Sequence, residues 1–127
     1  MRLPRNMRAM RRSLIVLTTV ALATSAAIAA AQDNDVEIEY LLQTVGSSSC
    51  VFIRNGTQHS AVDAESHLRM KYGKARRHIN NADEFIIKLA SESSWTGKPY
   101  TLDCPGEQQQ PTETWLFQRL GEYRAAN

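Results

Sequence analysis

The chain has 127 residues, 43% hydrophobic and 22% charged, with a formal net charge of +2. Five of its 15 basic residues lie at the extreme N-terminus (Arg2, Arg5, Arg8, Arg11 and Arg12), so the segment from Gln32 onward carries 10 basic against 13 acidic residues, a net of −3. That balance removes the support for a nucleic-acid-binding face or for charge-driven membrane attraction, and the length leaves room for one domain of roughly 100 residues.

The arginine-rich start is followed by an acid-free apolar run, Leu14 to Ala23, and then by an alanine-rich stretch ending Ala29-Ala30-Ala31. This is the order of an export signal, and small side chains at Ala29 and Ala31 predict cleavage before Gln32. The strongly apolar part is shorter than the roughly 20 residues a bilayer span needs, so no stable membrane insertion is expected after cleavage. Residues 1–31 are therefore read as a signal peptide and 32–127 as a single domain in the periplasm or secreted. Arg11-Arg12-Ser13-Leu14-Ile15 also has a faint likeness to a twin-arginine export signal.

Downstream, Gln32 to Asn34 reads as a polar leader. Ile38, Leu41, Leu42 and Val45 follow the i, i+3, i+4, i+7 spacing of an amphipathic helix, ended by Gly46 to Ser49. Cys50 to Arg54 predicts a short buried strand closed by an Asn55-Gly56 turn. Ala61, Ala64, Leu68, Tyr72, Ala75 and Ile79 keep to one face at about 100° per residue, which predicts a second helix through Gly73. Asn80 or Asn81 can cap a third helix, whose core face is Ala82, Phe85, Ile86, Leu89 and Ala90. Gly97 and Pro99 terminate it, and Tyr100 to Cys104 alternates as a second strand. Pro111 suits the first turn of a last helix, with an apolar stripe at Trp115, Leu116, Leu120 and Tyr123.

The fold class is thus α+β, in the order α-β-α-α-β-α, with helices packed on a two-stranded antiparallel ribbon. Cys50 and Cys104 are the two cysteines of the chain, and in an oxidising compartment such a pair is most simply a disulfide. Antiparallel pairing of the two strands would bring them together. The alternative is a reactive thiol working with His59 or His67.

Phe52 to Gly56, Asp63 to Tyr72, Ala82 to Ser94 and Thr96-Gly97-Lys98-Pro99-Tyr100 together resemble the YfeK-like family of small exported bacterial proteins, a domain-of-unknown-function family. The resemblance implies an export signal and a single domain, and it transfers no catalytic residues. The acidic residue, histidine and lysine at Asp63, His67 and Lys71 belong to its pattern; His59 has no clear place in it.

His59, Asp63, His67 and Lys71 are spaced i, i+4, i+8, i+12, so one helix would stack them along one side. Residues eight apart on a straight helix are about 12 Å apart along its axis, too far for one metal ion. No metal or cofactor is expected. His67 titrates in the range useful for acid–base work, but the plainer expectation is a boundary histidine hydrogen-bonded to Asp63. Thr96-Gly97-Lys98 lacks the leading glycine of a phosphate-binding loop, since position 92 is Glu92. Ser91, Ser93 and Ser94 lack the glycines that flank a nucleophilic serine. Met70 and Trp95 fall away from the predicted core faces. The expected function is a non-catalytic binding or accessory module of the cell envelope, contacting an envelope protein or ligand through Arg54, Asn55, Asp63, His67, Lys71 and Trp95. The alternative is a small hydrolase or metal-dependent enzyme centred on His67.

Overall fold

The computed structural model describes residues 21–127, so the arginines and most of the apolar run that carry the export reading lie outside the described residues. Helix α1 spans Ala21–Ser47 without a break at the expected Ala31–Gln32 junction. The polar segment Gln32 to Asn34 is consequently helical, a continuation of an alanine-rich stretch of strong helix formers. Ile38, Leu41, Leu42 and Val45 form its buried stripe, as their spacing requires.

Strands β1 (Val51–Arg54) and β2 (Thr57–His59) form a tight hairpin. Its central residues, Asn55 and Gly56, have φ of 50° and 77°, and a two-residue turn matching the sheet twist needs two such left-handed positions. β1 is half-buried: Phe52 points into the core while Val51 is exposed. Helix α2 (Ala61–Ala75) starts at Ser60, whose Oγ accepts a hydrogen bond from the Asp63 N–H at 3.2 Å. Leu68 is its buried centre, and the helix passes Gly73 before tightening into a 3₁₀ turn at Arg76–His78.

Asn81 Oδ1 accepts from the Glu84 N–H at 2.8 Å and so caps α3 (Ala82–Phe85), which widens into a π-helical turn at Ile86–Ala90. The expected core face of this segment is buried throughout. Strands β3 (Thr101–Asp103) and β4 (Gln110–Pro111) follow, then helix α4 (Thr112–Ala126), which buries Thr112, Trp115, Leu116 and Leu120. Arg124, near its end, donates to Glu37 of α1 at 2.8 Å and to Asp83 of α3 at 2.8 Å, tying three helices together.

The strands form one antiparallel sheet in the order β2-β1-β3-β4. The expected ribbon is its centre, β1 paired with β3, and two short strands extend it on either side. Val51 lies opposite Asp103, so the preceding and following cysteines face each other, and Cys50 and Cys104 form a disulfide with a Cα–Cα distance of 4.1 Å. Phe52 meets Trp115 edge-on at 6.1 Å where the sheet packs on α4.

Candidate functional site

The hairpin decides the site. Phe52 pairs with His59 across β1 and β2, and directly opposed residues share one face of a sheet. Arg54, two residues after Phe52, lies on that same face. The first turns of α2 pass over it, so Arg54, His59, Asp63 and His67 line one small, solvent-open cleft of about 30 Å³. Phe52, Ala64 and Leu68 supply apolar wall, Tyr100 closes one side, and Thr112 of α4 contributes at the base.

His67 does not hydrogen-bond Asp63, the partner expected from their i, i+4 spacing. Among the described residues its partner is Tyr100, with Oη 3.5 Å from His67 Nε2 and the rings edge-to-face at 6.4 Å. Asp63 is exposed at the rim. Burial first, then the charges of Arg54, Lys71 and His59, hold the His67 imidazole down to about 4 from its ordinary 6.5. Folded His67 is therefore neutral where the unfolded side chain is already taking up a proton. Neutral His67 contributes stability that is fully present above pH 6.5 and is lost as pH falls from there toward 4. His67→Gln should flatten the acid side of the stability profile in that window. Urea melts at pH 7 and pH 5 measure this, and an unchanged pH slope in the variant would contradict the assignment.

Lys71 is not a free surface charge. Its Nζ donates to the Leu89 carbonyl at 2.6 Å and approaches the Glu92 carbonyl at 3.4 Å and Tyr100 Oη at 3.3 Å, so it ties α2 to the end of the π-helical turn. Burial is the main cause that lowers its pKa, with Arg54 adding to it. Burial likewise raises the pKa of Tyr100.

Asn55 and Trp95 stand apart from the cleft. The Asn55 amide donates to Ser93 Oγ at 3.3 Å and accepts from Thr96 Oγ1 at 2.6 Å, latching the hairpin turn to the loop after α3. Ser93, 5% exposed, also accepts from the backbone N–H groups of Trp95 and Thr96 at 3.3 and 3.4 Å. That loop holds Trp95 97% exposed, and Met70 is 48% exposed on α2. Sequence spacing brings His59, Asp63, His67 and Lys71 into consideration, and the Asn55-Gly56 turn brings in Arg54. Neither points to Tyr100 or Thr112. The available signal for the place of His59 was Asn55-Gly56, the strongest short hairpin marker, which turns the following residues back alongside β1.

Among the described residues no group of three histidine, cysteine or carboxylate side chains is arranged to hold a metal ion, and no helix is long and apolar enough to cross a membrane. Two imidazoles do share the cleft, but Arg54 and Lys71 stand beside them, which repels a cation.

Fold and site define a small disulfide-closed α+β domain with a cleft between a helix and a β-hairpin that gathers Arg54, His59 and His67. The chain belongs to a family of unknown function, DUF5329, whose model matches residues 32–124. It is also 55% identical over 49 residues to the uncharacterized protein YfeK of Salmonella typhimurium, a stretch covering 39% of this chain and 41% of that relative. No solved structure matches.

Proposed function

We propose that this protein is an exported, non-catalytic accessory module of the bacterial cell envelope that binds a ligand in the cleft formed by α2 and the β1–β2 hairpin. The observation that carries this reading is the convergence of Arg54, His59 and His67 on one small apolar-walled opening, a few polar groups set among apolar side chains as in ligand sites. Export, to the periplasm or beyond the cell, is supported by the order of arginines, apolar run and Ala29-Ala30-Ala31, and by a family match beginning at residue 32. A catalytic role centred on His67 has one observation in its favour, a neutral imidazole at neutral pH. The hydroxyl beside that imidazole is the Tyr100 phenol, whose pKa is raised, so among the described residues no activated nucleophile faces it.

Recovery of envelope components on the immobilised protein tests the binding reading. Arg54→Gln should reduce recovery of a specific component at least about tenfold, the loss of one charged hydrogen bond, and His67→Gln by a smaller factor, the loss of a neutral one. Trp95→Ala, at the separate loop, should leave that recovery intact. If Trp95→Ala abolishes recovery and the two cleft variants do not, the contact surface is the loop and the cleft reading fails. Fractionation with N-terminal sequencing checks export, the expected product being an envelope protein that begins at Gln32.

A further inference from the structure

We propose that the ligand of this cleft is a small organic acid, a single carboxylate on a short apolar stem, held by Arg54, His59 and His67; this rests on the binding reading above. Charge pairing supplies the first argument. Arg69, Arg76, Arg119 and Arg124 each form an ion pair with a carboxylate. Arg54 is half-buried at the cleft and among the described residues forms neither an ion pair nor a side-chain hydrogen bond, so its guanidinium keeps a full set of donors for a carboxylate.

Unpartnered buried atoms supply an independent second. His59 Nε2 and Thr112 Oγ1 are both buried without a protein hydrogen-bond partner, and both residues line this cleft. Thr112 is only 2% exposed. Buried polar groups left unpaired are uncommon in folded proteins and call for a partner. Phe52 and Leu68 line the same opening and suit a stem of a few carbons rather than a second charge.

The groups facing His67 are Arg54 on β1, His59 on β2, Lys71 and the rim carboxylate Asp63 on α2, and Tyr100 ahead of β3. Three of the five oppose a positive imidazole. A bound carboxylate offsets that opposition and lets His67 take up a proton, so binding strengthens as pH falls.

Butyrate is the probe, titrated into the disulfide-bonded protein while the ring resonances of His59 and His67 are followed by NMR, with butylammonium and 1-butanol as matched controls. The expected result is a saturable shift of both rings with butyrate alone, and an affinity rising by up to about tenfold per pH unit between pH 7 and 5. Arg54→Gln should weaken it at least about tenfold and Arg54→Lys less, because a lysine keeps the charge without the fork. An equal response to either control, a shift that never saturates, a pH-independent affinity or wild-type binding by Arg54→Gln would overturn the proposal. If butyrate fails while recovery of an envelope component still depends on Arg54, the acid assignment falls and the binding reading stands. If recovery is also independent of Arg54, both fall.

Discussion

Phe85→Ala should lower folding stability by about 3–5 kcal/mol, read as a fall in the urea midpoint at unchanged slope. Phe85 is 0% exposed and sits edge-on to Tyr72 of α2 at 5.7 Å, so truncation removes both transfer free energy and an aromatic contact. The neighbouring Ala82, Ile86 and Leu89 are themselves buried in the core formed with α1 and α4, which limits how far they can close the void. For a domain whose total stability is of the order of 5–15 kcal/mol, this is a large fraction. Ile87→Ala, at a residue 55% exposed two positions along, is the matched control and should change stability by less than about 0.5 kcal/mol. Equal effects at the two positions would mean that the inward face of this segment is wrongly phased.

Removing the disulfide should have an effect of similar size through the unfolded state. The bond joins residues 54 apart in sequence, and on the chain-entropy model a loop of that length restricts the unfolded ensemble by about 4 kcal/mol. The double variant Cys50→Ala/Cys104→Ala, which leaves no lone thiol, should therefore melt roughly 15–30 °C below the oxidised protein. Calorimetry of the two forms measures it. A difference under about 3 °C would show that the folded state gains little from the cross-link. Small domains bury proportionately little surface, which is why one covalent tie weighs so heavily here.

The parts of the molecule legible in sequence are those governed by local periodicity. Ile38 to Val45, Leu68, Ala82 to Ala90 and Trp115 to Leu120 all bury the side chains that their 3.6-residue spacing selects. Asn81 caps α3 and Ser60 caps α2 by short-range hydrogen bonds written in adjacent residues. Strands β2 and β4 were not legible, because Thr57-Gln58-His59 and Gln110-Pro111 are short and polar and carry no alternation to detect. The site shares that limitation. Lys71 has the spacing of a solvated helical face, yet its ammonium folds onto the Leu89 carbonyl at the end of the widened turn. His67 finds Tyr100 rather than Asp63 because the segment leading into β3 arrives from 33 residues away, which no helical spacing can foretell.

The strand order β2-β1-β3-β4 has a consequence for how the molecule assembles in time. β1 has one partner two residues along the chain and another that arrives only after α2 and α3 have been laid down. Closing a short hairpin costs little chain entropy, whereas bringing Thr101 back to Ile53 requires the whole intervening helical segment to be gathered first. The hairpin carrying Arg54 and His59 is thus available early, and Tyr100 and Thr112 complete the cleft late. The same pairing sets Cys104 beside Cys50, so the cross-link, once formed, holds β3 against β1. A chain caught before that point would present the β3-facing edge of β1 unpaired, and this is the interval in which association with other chains competes with folding.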